Sequence, residues 1–266
     1  MGAQAPIEVA VAGAAGRMGA AVIAAIQSRP DVRLGAAFDR PASRGQPAAG
    51  GVILGEREDA RGCDVVIDFT SASASASLGD WSAEQGAPAL VIGSTGWTAA
   101  EEARLRSASE RAAIVWAGNF SLGVNLMAGL VEAAARRLPA ATWDIEVIEA
   151  HHRRKVDAPS GTALMLAAAA ARGRGVELGD VEVRARDGLT GPRPEGAIGL
   201  SAVRAGGLVG EHAVLFAAEG ETLTLSHSAR DRGLFAVGAL QAALWVAGRT
   251  PGLYDMMDVL GFRGAP

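Results

Sequence analysis

Near neutral pH a protein moves protons mainly with histidine and with perturbed lysine or cysteine, and occasionally with tyrosine or a carboxylate. This 266-residue chain has four His, one Lys, one Cys and one Tyr, and three of those seven, His151, His152 and Lys155, stand within five residues. The chain has 25 basic residues, of which Lys155 is the single lysine and the rest are arginine. Arginine stays charged and is planar and broad, whereas lysine is a compact ammonium that can give up a proton where its surroundings favour it. A lysine kept beside two histidines in a chain otherwise served by arginine points to proton transfer or to contact with an anion.

The same stretch continues as Asp157-Ala158-Pro159-Ser160-Gly161-Thr162 and then an Ala- and Leu-rich run. Ser160 is a natural helix N-cap, and its hydroxyl with the following amides would form an anion pocket at the positive end of that helix. A carboxylate held there would lie close to Lys155 and the histidines. Glu149 and Asp157 either orient the histidines or balance local charge. Adjacent histidines at a strand end diverge and no third ligand stands nearby, so no metal site is expected. His212 and His227 lie in or beside later strands, apart from this cluster, and are expected to be structural.

A second constellation lies near the start. The apolar strand Ile7–Ala12 runs into Gly13-Ala14-Ala15-Gly16-Arg17-Met18-Gly19 and then a helical stretch to Gln27. Glycines let a backbone turn sharply and approach a pyrophosphate, and the helix start offers N–H groups and positive dipole. The next strand, Val32–Phe38, ends at Asp39-Arg40, where an acidic group would meet the adenosine ribose hydroxyls. Arg40 would accept the 2'-phosphate of NADP while Asp39 favours NAD, so NADH and NADPH both remain open.

These sites need elements to carry them. Apolar runs at 65–70, 89–92 and 113–116 alternate with helical segments at 74–85 and 99–111, the pattern of a doubly wound parallel sheet with both faces covered. The strands lead into Thr70-Ser71, Gly93-Ser94-Thr95-Gly96 and Gly118-Asn119-Phe120, at the carboxyl ends where such sheets bind ligands. After a helical run at 123–138 the pattern turns β-rich, with strands expected at 143–150, 181–186, 198–204, 210–217 and 221–227. The fold class is therefore α/β, a Rossmann-type doubly wound sheet plus a second α+β domain with a mixed sheet. An apolar helix at 233–247 is expected to return to the first domain, so residues 1–121 with 232–266 form the dinucleotide-binding domain and 122–231 the second.

A formal charge of −4 gives no footprint for nucleic acid or an anionic membrane. Apolar runs fall short of the ~18 residues of a membrane span. No basic start with a long apolar core marks a signal peptide, and one cysteine cannot form an internal disulfide. A cytoplasmic protein is expected.

With these motifs in view, the chain resembles the 4-hydroxy-tetrahydrodipicolinate reductase family, known also as dihydrodipicolinate reductase, of the diaminopimelate and lysine pathway. The resemblance runs almost end to end, through residues 11–19, Asp68-Phe69-Thr70, residues 93–96, Asn119-Phe120-Ser121, residues 149–162, Gly210-Glu211-His212 and residues 252–256. The 149–162 segment is the most specific of these. The resemblance implies a homotetramer that reduces a cyclic dicarboxylate with NADH or NADPH. It implies proton transfer by His151 and Lys155, with His152, Lys155, Ser160, Gly161 and Thr162 around the substrate carboxylates. It places the cofactor on Gly13, Ala14, Ala15, Gly16, Arg17 and Met18, on Asp39 and Arg40, on Gly93, Ser94 and Thr95, and on Ala117, Gly118, Asn119 and Phe120. Hydride would go to C4 of the ring and a proton to the neighbouring carbon. Two departures are small: Gly118 stands where Ala or Pro is frequent, and Ser94 where Thr is common. The rival readings are a reductase of the same architecture for another cyclic imine or dicarboxylate, and a non-catalytic dinucleotide-sensing module.

Overall fold

The computed structural model describes residues 5–85, 88–231 and 233–263; Arg232, the first residue of the expected C-terminal return, lies outside them. The chain divides into two units, residues 1–122 with 233–266 and residues 123–232.

The first unit is an all-parallel sheet of β1 (Ile7–Ala12), β2 (Val32–Phe38), β3 (Val65–Asp68), β4 (Ala89–Ile92), β5 (Ala113–Trp116) and a late strand, Gly252–Tyr254. Helix α1 (Arg17–Gln27) connects β1 to β2, α2 (Ala72–Gln85) connects β3 to β4 and α3 (Ala99–Ala108) connects β4 to β5, while short 3-10 turns lead from β2 to β3. The strand order, Gly252–Tyr254, β5, β4, β3, β1, β2, reverses direction at β1, which creates the crevice beyond the strand ends where ligands bind in such sheets. Alternate side chains fill opposite faces. Val9, Val11 and Ile67 pack with Ile23 and Leu240 on one side, whereas Ala10, Val66, Leu90 and Ile92 pack with Leu78, Trp81 and Leu105 on the other. Double-sided burial explains why these strands read as continuous apolar runs rather than as alternating ones. Helix α3 ends at Ala108, three residues before its expected end, and starts at a Thr98–Glu101 capping box.

The second unit opens with α4 (Leu122–Arg137) and holds a five-stranded sheet of β6 (Asp144–His151), β7 (Glu182–Val183), β8 (Ile198–Arg204), β9 (Glu211–Ala217) and β10 (Thr222–Ser228). Its order is β10-β9-β6-β8-β7, antiparallel on one side of β6 and parallel on the other, a mixed sheet as expected. Strand β7 keeps only two of the six residues anticipated at 181–186, because a short helix, α6 (Leu178–Val181), takes the first of them and β8 pairs with only two. Helix α5 (Gly161–Arg174) lies so close to α4 that a Cβ on Gly173 would fall 2.4 Å from the Glu132 carbonyl oxygen.

Helix α7 (Gly233–Val246) belongs to the first unit, where it packs in the same cluster as α1, and is followed by β11 (Gly252–Tyr254) and α8 (Met256–Val259). No described helix is long and apolar enough to cross a membrane.

Candidate active site

Strand register decides what gathers around His151. Glu149 and His151 point to the same side of β6. Register sets Glu149 opposite His212 on β9, His151 opposite Arg204 on β8, and His212 opposite His227 on β10. Five polar side chains therefore converge at one end of a face that is otherwise apolar.

Glu149 is the hub. Its side chain is fully buried and paired with Arg204. Its two oxygens accept from both terminal nitrogens of Arg204 at 2.8 Å, from the Ser160 backbone amide at 3.0 Å and from His151 Nδ1 at 2.5 Å. Burial pushes the Glu149 carboxyl up, but Arg204, His151 and the Ser160 amide hydrogen-bond to it and hold it below the ordinary carboxylate range. Arg204 also donates to the Asp157 carbonyl at 2.6 Å, which pins the loop that follows β6. On that loop Lys155 Nζ sits 2.8 Å from both oxygens of Asp157, and the ammonium holds the Asp157 carboxyl low.

Ser160 caps α5 as expected, its hydroxyl accepting from the Ala163 amide at 3.2 Å. The same oxygen lies 3.1 Å from His212 Nε2, and the His151 and His212 rings meet edge to face at 5.2 Å. His212 is therefore part of this cluster, against the expectation that it stands apart; the pairing of β9 with β6 brings it there. Burial, with His151 beside it, pushes His212 down to about 4. An unfolded histidine takes up its proton near pH 6.5, so as pH falls from there the unfolded chain binds the proton first and stability drops. Between about pH 6.5 and 4 this histidine alone costs about 3 kcal/mol, and thermal melts over that range should show a loss that His212→Gln largely removes.

The start of α5 is open. A Cβ on Gly161 would meet nothing within 4 Å. His152 Nδ1 is buried without a hydrogen-bond partner among the described residues, a polar atom left for something the chain does not supply.

In the first unit, Gly13 adopts φ +69°, and a Cβ on Gly19 would lie 2.3 Å from the Gly13 carbonyl oxygen, so helix α1 can start against the loop only with glycine there. Gly16 caps α1 with no side-chain hydrogen bond, which leaves the helix start to an anion. Asp39 Oδ2 accepts from the Ala15 amide at 3.1 Å and ties the end of β2 to this loop. The Arg40 side chain is 87% exposed. At the neighbouring strand ends Gly93 is needed because a Cβ would fall 2.1 Å from the Phe69 ring, and Phe69 meets Phe120 edge to face at 5.6 Å. Asp68, buried at the end of β3, accepts from Thr70 and from Ser75 Oγ at 2.5 Å, and Ser75 Oγ lies 2.7 Å from Ser94 Oγ. Asn119 accepts from the Ser121 amide at 2.8 Å. The dinucleotide positions expected from sequence therefore lie on the Gly13–Met18 loop, at the end of β2 and at the ends of β4 and β5. Glycine cradles, an uncapped helix start and an exposed cation fit a dinucleotide.

Residues 7–120 match the family description dihydrodipicolinate reductase, N-terminus, and residues 123–260 match dihydrodipicolinate reductase, C-terminus. The chain belongs to the dihydrodipicolinate reductase family. It is an NAD(P)H-dependent oxidoreductase with the family's reaction as its function. Among its relatives, the 4-hydroxy-tetrahydrodipicolinate reductase of Caulobacter vibrioides is 56% identical over 97% of this chain and 98% of its own, and that of Rhizobium rhizogenes is 52% identical over 96% and 97%. The dipicolinate-bound dihydrodipicolinate reductase from Paenisporosarcina sp. TG-14 superposes with a TM-score of 0.78 at 26% identity, covering 95% of this chain and 98% of that one.

The sequence did not place two residues at the hub. Arg204 carries no motif signal, being one of many arginines, and His212, expected to be structural and apart, follows a Gly210-Glu211 pair that names no partner. Both are assigned by cross-strand register alone.

Proposed function

We propose that this chain reduces 4-hydroxy-tetrahydrodipicolinate to tetrahydrodipicolinate in the diaminopimelate and lysine pathway, with the polar end of the second unit as its substrate site. The observation that carries this reading is that Glu149 ties His151 to the start of helix α5, while Arg204, bound to the same carboxylate, holds the loop on which Lys155 pairs with Asp157. A planar dicarboxylate needs a cation and directed amides at its carboxylates and a proton carrier at its ring. Ser160, Gly161 and Thr162 at the helix start hold one carboxylate, His152 supplies its unpartnered Nδ1, and Lys155 exchanges the Asp157 carboxylate for one of the substrate. His151 and Lys155 transfer the proton to the ring carbon next to the reduced one. The dipicolinate in the Paenisporosarcina structure supports a ligand of this chemistry.

The dinucleotide-binding domain expected over residues 1–121 with 232–266 holds NADH or NADPH. Met18, Arg17 and the Gly13–Gly16 turn face the pyrophosphate, Asp39 and Arg40 the adenosine ribose, and residues 93–95 and 117–120 the nicotinamide. When bound, the reduced nicotinamide supplies the hydride. Arg40→Ala is expected to raise KM for NADPH about tenfold and leave KM for NADH nearly unchanged, the loss of one charge-assisted phosphate contact. Steady-state kinetics with both cofactors at fixed ionic strength measures this, and an NADPH preference that survives the change would place the 2'-phosphate elsewhere.

Residues 122–231 also build a homotetramer in this reading. The sheet face opposite Glu149 and His151 carries Ile148 and Val203, 38% and 47% exposed, with Ala150, Ala213 and Leu215 between, an apolar surface suited to a second sheet. The lone, buried Cys63 suits the cytoplasm. Turnover assays with the 4-hydroxy substrate and NAD(P)H test the assignment against analogues. Faster reduction of another cyclic imine would overturn the substrate, and no turnover with any of them would favour the sensing module.

A further inference from the structure

Glu149 makes four hydrogen bonds to three elements, more than a helix-capping or charge-balancing role requires. It receives Arg204 from β8, the Ser160 amide from the start of α5, and His151 from two positions along its own strand. A carboxylate can only accept, and with Arg204 bound to both oxygens it is ionised. The proton in the 2.5 Å contact therefore belongs to His151 Nδ1. That leaves His151 Nε2 as the nitrogen that exchanges protons. Gly210 lies beside it: a Cβ there would sit 3.1 Å from Nε2, so glycine keeps a side chain from crowding that nitrogen.

We infer that Glu149, clamped by Arg204, is a positioning residue for proton transfer. It fixes His151 in the Nδ1–H form with Nε2 toward the substrate, and through the Ser160 amide it locks that imidazole to the helix start that binds the substrate carboxylate. One carboxylate thus sets the distance between proton carrier and anion pocket. The inference rests on the proposed role of His151.

The charged and titratable groups facing Glu149 are His151 on β6, Arg204 on β8 and His212 on β9, with Lys155 and Asp157 on the loop and His227 behind His212 on β10. Glu149→Gln keeps the shape and removes the charge. It is expected to cut kcat about 100-fold with KM for NADH unchanged, as when a histidine loses the carboxylate that fixes its tautomer. Without that anion the imidazole loses its charged partner, so the pH profile of kcat/KM differs from that of the parent. A structural role alone would lower the melting temperature and leave the profile in place.

The tautomer can be read directly in the unaltered protein. With four histidines in the chain, histidine-selective 15N labelling resolves which ring nitrogen of His151 carries the proton, the signal being assigned with His151→Gln. A proton on Nδ1, in the neutral ring or in the imidazolium, supports the inference; a neutral ring protonated at Nε2 alone overturns it even if Glu149→Gln does not fold. If His151→Gln abolishes turnover while a folded Glu149→Gln keeps kcat within threefold of the parent and an unmoved pH profile, the positioning role is wrong and the His151 assignment stands. If His151→Gln itself turns over normally, the assignment of His151 fails, and the positioning role falls with it.

Discussion

Lys155→Arg is expected to lower kcat by about 100- to 1,000-fold while NADH binding and the melting temperature stay near those of the parent, the size of effect that goes with losing a general acid. The substitution preserves charge, and the Asp157 carboxylate that now holds Nζ at 2.8 Å on both oxygens can receive a guanidinium equally well. Local structure therefore survives. What is lost is the proton, because a guanidinium does not release one in a protein, and the compact reach of an ammonium. A purely electrostatic lysine would give a different result, a moderate rise in substrate KM with kcat nearly intact. Steady-state kinetics at saturating NADH, with cofactor affinity measured separately by fluorescence titration, tells the two apart. Near-parental kcat would return the solitary lysine to an accident of composition.

Gly238→Ala has the largest expected effect on stability. A Cβ at this position of α7 would lie 1.6 Å from the Phe120 carbonyl oxygen and 2.8 Å from its carbonyl carbon. Both are backbone atoms of a residue that is almost completely buried and braced by Phe69, so no flexible side chain can yield. Alanine gains about 1 kcal/mol of helix propensity over glycine, far less than the cost of moving a helix or a strand-end loop. A net destabilisation of about 3–5 kcal/mol is expected, with a fall in melting temperature on the order of 10 °C. The displaced segment is the Asn119–Phe120 turn assigned to the nicotinamide, so NADH affinity should fall with it. Calorimetry and NADH titration test both, and an unchanged melting temperature would mean that α7 does not rest on Phe120.

Much of the dinucleotide half is legible in the chain because its signals are local. Strands β1 to β5 are short apolar runs closed by glycine or small polar residues, and each helix between them follows from its neighbours within a turn or two. The exception is β11. Gly252-Leu253-Tyr254 has neither length nor alternation to mark a strand, and it becomes one only because its backbone pairs with Ala113–Val115 of β5. Strand β7 fails in the opposite direction, for Val181–Arg186 has strand-like residues but only Glu182 and Val183 find a partner on β8. Strand propensity describes a residue's fit to a pleated surface, and whether such a surface lies alongside is decided elsewhere in the chain.

The proposed active-site cluster divides along the same line. His151, His152, Lys155 and Ser160 could be read together because they are contiguous, and the serine's capping role follows from its place before an apolar helical run. By itself, then, the sequence determined most of the element types, the glycine turn and the list of groups able to carry protons and anions. Tertiary structure alone decided that Glu149 would be their hub. Arg204 reaches it across 55 residues, and His212 reaches Ser160 across 52. Those partners depend on which strands lie side by side and in which register, a choice made by burying one whole sheet face at once, and no short stretch of residues contains it.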